Sequence, residues 1–591
     1  MTLSTFNPST FQLITAMNQA LRSKFALLLC MVCCSLVGTA QTNSLYQQTS
    51  EVNNLMVHYD ADRGSLSRFY ALESSPDRRQ RLQQLQTDYL TQLQQLKYES
   101  LPTGSKVDYL LFKRNMEAQL DLLKEEEQEY TNLSKWFVFA DKIYEVERIR
   151  RRGTQQDAQK LAASMNALAL QINTTAKQLD KEGGIDISLS RRAGSIIRGL
   201  QAALRSVNDF YTGYDPAYTW WTPEPLKKLE GALSDYAKSW QQKEKSAPAG
   251  KDDGSGIIGF PIGQKELVRQ LQAEMIPYTP EELVEIANKE FAWCDAEMLK
   301  ASREMGFGDD WKKAIEKVKN TYVPPGKQPE AIMKLYNESI DFLKKNKLVT
   351  IPPIAEETWR MSMMSPQRQL VSPFFLGGEM LIISYPTNTM AEEDKLMSMR
   401  GNNPHFSRAT VHHELIAGHH LQGFMNNRYK AYRNFNTPFW TEGWALYWEM
   451  ILWDLKFPQS PEDRIGMLFW RMHRCARIIF SLNYHLGKWT PQQCIDFLVD
   501  RVSHERANAE GEVRRSFTGG YGPLYQLAYM IGGLQFYAMK KELVDSGKMS
   551  YKQYHDAVLQ ENAMPVEMVR AILTNQSPAK DFKTNWRFYT K

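Results

Sequence analysis

Cysteine is scarce in this sequence: six residues in 591, three of which (Cys30, Cys33 and Cys34) sit in one apolar stretch near the start. The others, Cys294, Cys475 and Cys494, are odd in number and show no CxxC spacing, so a disulfide framework does not organise the fold and one bridge at most is available. An excess of one charge is also missing. The formal net charge is +5 with 24% charged residues, which gives no reason to expect nucleic acid as the main partner. No apolar run is long enough for a bilayer: Phe25 to Val37 is the longest at thirteen residues, where about 20 are needed. A G-x-S-x-G elbow, a Gly-rich phosphate loop and an internal repeat are all absent. With 43% hydrophobic and 11% aromatic residues, the chain is neither disordered nor collagenous, and it is long enough to bury a large core.

The run Phe25–Val37 follows Arg22 and Lys24 and precedes the small residues Gly38-Thr39-Ala40. That order of basic start, apolar middle and small-residue end is the pattern of a secretory signal, with cleavage expected between Ala40 and Gln41. The expected address is the periplasm; lipid anchoring through one of the three cysteines is the alternative, disfavoured because none is preceded by a small residue. Residues 41–245 read as a lobe of long amphipathic helices, with Leu82, Leu85, Leu90, Leu93 and Leu96 near one helical stripe. The basic tract Arg148–Arg152 reads as a solvated helix face. Residues 246–257, rich in Gly, Pro and Ser, read as a linker, and 258–591 as the region that carries the chemistry. Thr279-Pro280-Glu281-Glu282 opens a helix, while Phe374 to Thr389 has the strongest strand character. The expected fold is mostly α: two helical lobes around a deep cleft, with a small β element near 374–389.

Eight of the ten histidines fall between His405 and His504, and five lie within 16 residues around Glu414. The helical zinc motif H-E-x-x-H puts two imidazoles one turn apart, but Ala417 occupies the fourth position after His413, so the strict motif is absent. On an unbroken helix His419 would sit about 240° round and about 9 Å along from His413, too far to share one ion. The helix must therefore break between Leu415 and His419, and Gly418 is suited to the break. His413 and His419 are then the expected ligands, with His420 as a supporting residue or the alternative ligand. Downstream, Thr441 is read as the cap of a helix that carries Glu442 and Glu449 on one face. Glu442 is assigned as the third ligand and Glu449 as support for a histidine. Glu414, beside His413, is positioned to be a general base. A di-iron site is disfavoured because Ala417 and Ala445 stand where Glu-x-x-His would need histidines.

The segment His413-Glu414-Leu-Ile-Ala-Gly418-His419-His420-Leu421-Gln422 resembles the H-E-A-x-P-G-H-H-L-Q motif of a large bacterial family. That family is catalogued as a domain of unknown function, often exported, and grouped with zinc metallopeptidases. Glu442-Gly-Trp-Ala-Leu-Tyr447, Glu449 and the run Arg474–Trp489 match it further, and His485 falls where the family usually carries a histidine. Ala417 replaces the usual proline. The resemblance covers roughly residues 258–591 well. Gly519-Gly520-Tyr521-Gly522-Pro523-Leu524-Tyr525 also looks like the G-G-Y-x-x-x-Y loop of thimet-oligopeptidase-like enzymes, whose 28-residue interval between catalytic and ligand glutamates matches Glu414 to Glu442. The resemblance implies that Tyr521 and Tyr525 hydrogen-bond the tetrahedral intermediate. Phe517 stands where that group has a histidine, a place His485 is a candidate to fill.

These readings lead to a zinc-dependent peptidase, either an oligopeptidase or a carboxypeptidase, acting on short peptides. Arg474 or Arg477 is the candidate for binding a substrate C-terminal carboxylate. Two other readings stay open: a zinc- and peptide-binding relic that cuts nothing, suggested by Ala417 and Phe517, and a zinc hydrolase of a non-peptide amide or ester.

Overall fold

One helix-start signature recurs and accounts for much of the architecture. Ser75-Pro76, Thr279-Pro280, Thr437-Pro438, Ser460-Pro461 and Thr490-Pro491 each place a side-chain oxygen on an otherwise free N–H and a proline in the first turn. Thr279 and Thr490 close full capping boxes with Glu282 and Gln493. The computed structural model describes residues 51–246, 252–369, 372, 374–518 and 520–589, and these are mostly helical, as the sequence predicts. The expected signal segment and residues 247–251 of the expected linker lie outside them. No helix among the described residues is long and apolar enough to cross a membrane.

Three apolar cores hold the described residues together. One is built entirely from residues 72 to 240, around Trp240, Tyr236 and Phe139. A second runs from Ile257 to Phe588, and the third joins residues 52–123 to the C-terminal half. The helix Thr103–Leu133 belongs to two of them: Val107, Tyr109 and Phe112 enter the shared core, and Leu133 enters the N-terminal one. Arg433 locks the shared core with a two-pronged ion pair to Asp108 (2.7 and 3.3 Å) and a second pair to Glu561. Arg433 and Asp108 are buried and Glu561 is partly so, and the fork of the guanidinium matches the carboxylate.

The β element is smaller than expected. Only Met380–Ile383 of the 374–389 stretch is a strand, paired in parallel with Arg360–Met363, and Leu376 bridges back to Ile382. Glycines and Pro386 flank this stretch and confine the ladder to four residues. Cys294, Cys475 and Cys494 are free and buried. The basic tract is the end of the helix Ala140–Arg150 and the turn after it; Arg148 pairs with Asp77, and Arg150 and Arg151 with Glu147.

Candidate metal centre

The helix Pro404–Glu414 stops at Glu414, and a new helix, His419–Asn426, starts five residues later. Leu415 leaves helical geometry at φ −108°, ψ −113°, the Ile416–Ala417 peptide is cis, and Gly418 sits at φ −86°, ψ −131°. The break falls where the histidine spacing requires it. The reason for glycine differs from the expected one: φ is negative, so conformational freedom at positive φ is not the requirement. A Cβ on Gly418 would overlap the His413 carbonyl, and only a bare Cα lets the chain fold back this tightly. Gly418 N donates to His412 O (2.9 Å), and Trp444 Nε1 donates to Ala417 O (2.9 Å).

The third segment is the helix Pro438–Asp454, which begins earlier than the sequence suggests. Thr437 is the cap, Thr441 lies inside the helix, and Glu442 falls in its second turn. The proline explains the shift, because its fixed φ and missing N–H suit the first helical position. Gly443 packs against Gly532 of the helix Tyr525–Lys540 so closely that a Cβ would stand 2.5 Å from the Gly532 Cα. That contact sets Glu442 beside Tyr525, whose hydroxyl donates to Glu442 Oε1.

Three donor atoms converge where the segments meet. Glu442 Oε2 lies 3.6 Å from His413 Nε2 and 3.2 Å from His419 Nε2, and ligand atoms from all three residues fall within 4.8 Å of one another. The outer nitrogens are spoken for. His413 Nδ1 donates to Glu449 Oε1 (2.7 Å), which also accepts from Arg474 Nη2 (3.0 Å), and His419 Nδ1 donates to Gln422 Oε1 (3.4 Å). With both Nδ1 atoms protonated, each Nε2 presents its lone pair to the same point. Glu442 Oε2 is buried and has no hydrogen-bond partner. A buried carboxylate oxygen facing two imidazole lone pairs asks for a cation. Burial alone would push the His419 pKa down, yet the Glu442 charge raises it to about 9. Two imidazoles and a carboxylate are donors that suit zinc.

Glu414 faces the same cavity, of about 390 Å³, with Tyr521, Tyr525 and Arg477 on its other walls. Desolvation raises the Glu414 pKa, opposed by His413 and His419. Gly377 presses against Glu414 so tightly that a Cβ there would overlap it, and Gly378 N donates to the Glu414 carbonyl (3.1 Å). Burial works against Glu449, but the Arg474 charge and the His413 hydrogen bond hold its pKa near 2.

Two predicted residues lie elsewhere. His420 Nε2 meets the Ala355 carbonyl at 2.6 Å, on the side away from the cluster. His485 packs edge-on to Phe517 and Tyr484, outside the cavity. The cavity residues without a role in the sequence reading include Tyr529, its ring stacked 6.1 Å from that of His413, Arg515 and Gln422. Gln422 was within the quoted motif, and Tyr529 lies one helical turn after Tyr525.

The model of a bacterial protein family of unknown function, DUF885, matches residues 71–573. The chain belongs to DUF885. Two solved structures are similar to this DUF885 chain in fold. One is a candidate lipoprotein of unknown function from Shewanella oneidensis, 17% identical, TM-score 0.62, covering 89% of this chain and 100% of that one. The other is a candidate lipoprotein from Colwellia psychrerythraea, 14% identical, TM-score 0.54, covering 89% and 99%. Among curated proteins nothing matches.

Proposed function

We propose that this DUF885 protein is a zinc-dependent metallopeptidase that hydrolyses short peptides in an exported compartment. The observation that carries the reading is the unpartnered Glu442 Oε2 facing His413 Nε2 and His419 Nε2, with Glu414 in the same cavity. His413, His419 and Glu442 would hold the metal. Bound zinc lowers the pKa of a coordinated water to about 7 and polarises a carbonyl.

The chain's own residues supply the rest. Glu414, kept basic by desolvation, takes the proton of the attacking water and returns it to the leaving amine. Tyr521 and Tyr525 line the cavity; the Tyr521 hydroxyl donates to the carbonyl oxygen as negative charge builds there, and Tyr525 joins it by turning its hydroxyl from Glu442 Oε1. Their rings stack face to face, with centroids 4.2 Å apart and planes at 5°. Glu449, pinned by Arg474, keeps the His413 proton on Nδ1. The N-terminal basic–apolar–small order and the candidate-lipoprotein neighbours support export.

Metal analysis tests the reading. Zinc-loaded protein should retain one zinc per chain after dialysis, Glu414→Gln should retain it equally, and His419→Ala or Glu442→Ala should lose it. A folded wild-type chain that keeps no zinc would end the proposal.

A further inference from the structure

Arg477 stands at the cavity wall with 2% of its side chain exposed. Its Nε donates to Glu512 Oε1 (2.6 Å), but its Nη1 is buried without a hydrogen-bond partner. Arg515, from the helix Arg506–Thr518, meets the other oxygen, Glu512 Oε2, at 3.0 Å, and its guanidinium lies 5.2 Å from the centre of the Tyr521 ring. Glu512 Oε1 also accepts from Gln526 Nε2 (3.0 Å), so that oxygen holds two donors. The third cavity arginine, Arg474, is committed to Glu449. Three guanidinium groups thus share two carboxylates, Glu449 and Glu512, on this wall. A purely structural ion network closes on itself, because a buried charged donor left open costs more than it returns. Here the residue that carries the open donor, Arg477, lines the cavity.

We propose that Arg477 and Arg515 form a recognition subsite for the α-carboxylate of a peptide substrate, which makes this protein a carboxypeptidase-type enzyme. The assignment rests on the metallopeptidase reading and narrows its substrates to peptides with a free C-terminus. A fork of N–H donors matches a carboxylate in two-point geometry. Tyr529 separates this fork from the metal ligands: its ring is 6.1 Å from the His413 ring and 4.3 Å from the Arg477 guanidinium carbon. An extended chain advances about 3.3 Å per residue, so a carboxylate held by Arg477 lies one or two residues past the bond being cut. Arg474, the other arginine suggested by sequence, acts instead as a positioning residue for Glu449.

The test compares three N-acetylated hexapeptides: a free acid, its C-terminal amide, and an amide whose last residue is aspartate. Calorimetric titration uses zinc-loaded Glu414→Gln protein, and product masses come from the zinc-loaded wild type. The acid should bind at least about tenfold tighter than the plain amide and lose one or two C-terminal residues. Arg477→Met and Arg515→Met should each bring the acid towards the amide while zinc content holds. Equal binding of acid and amide overturns the subsite, and if the wild type still cuts both, the peptidase reading survives alone. Acid preference without any cleavage does the reverse. An acid preference that persists in both arginine variants overturns the assignment, because the metal would then be the carboxylate's partner. Tight binding of the aspartyl amide overturns the C-terminal choice, since a side-chain carboxylate would be what is read. Should either Met variant fail to fold, the acid-to-amide ratio of protein with both arginines intact decides, with Arg477→Lys as the charge-retaining check.

Discussion

Glu449 Oε1 lies 2.7 Å from His413 Nδ1 and so fixes which nitrogen of that ring faces the cavity. The same oxygen accepts from Arg474 Nη2, and the arginine is sandwiched near Trp470 and Tyr529. A carboxylate held so firmly would tune the proposed metal site without touching the ion. Glu449→Gln keeps an acceptor but removes the charge, and zinc affinity should fall about 10–100-fold. Chelator competition measures it; an unchanged affinity would reduce Glu449 to a packing role.

Gly418→Ala should be among the most damaging small substitutions in the chain. Its Cβ would overlap the His413 carbonyl, and relief requires opening the turn that brings His419 to His413. A cost of about 3 kcal/mol or more is expected, together with loss of zinc. Thermal melts and metal content on the same sample separate the two effects. A stable variant with full zinc would show that the turn does not depend on this contact.

Tyr525→Phe removes the hydroxyl that donates to Glu442 Oε1 but leaves the three ligands in place. Zinc content should hold while kcat falls about 100–1,000-fold, the size seen when one oxyanion donor is lost. A drop in metal content with unchanged kcat per zinc would reassign Tyr525 to metal binding alone.

Much of this centre was legible in the sequence because its logic is local. The break brings His419 back to His413, and the seven-residue spacing of Glu442 and Glu449 puts both on one face of the helix Pro438–Asp454. The choice between His419 and His420 was not legible. It depends on the backbone path through Leu415–Gly418 and on the Ala355 carbonyl, 65 residues away, which claims His420. The cap is Thr437 and not Thr441 because Pro438 itself forms the first helical turn. The strand stretch shrank to Met380–Ile383 because strand propensity is silent on whether a partner of equal length exists. Arg515 and Tyr529 reach the cavity only through tertiary packing of helices distant from the histidine cluster, which no periodicity reveals.

Acid should destabilise the protein before its carboxylates titrate. His555 is buried, and the Leu348 carbonyl (2.7 Å) can only accept, so Nδ1 carries the proton and Nε2 accepts from the Tyr447 hydroxyl (2.8 Å). Burial holds its pKa down at about 4, against about 6.5 in the unfolded chain. The unfolded state therefore binds the extra proton first, and stability present above pH 6.5 drains away as pH falls towards 4. The full swing for this one group is about 3 kcal/mol. Melting temperature between pH 7.5 and 4.5 should decline in the wild type and decline less steeply in His555→Gln. Parallel slopes would show that other groups govern the acid limb.

The most direct test of the central claim is digestion of an unbiased peptide mixture by the zinc-loaded protein, read by mass spectrometry beside Glu414→Gln. The account predicts cleavage at defined positions near C-termini by the wild type and none by the variant. Cleavage that persists in Glu414→Gln, or an intact mixture after incubation with wild-type protein shown to hold zinc, would contradict it.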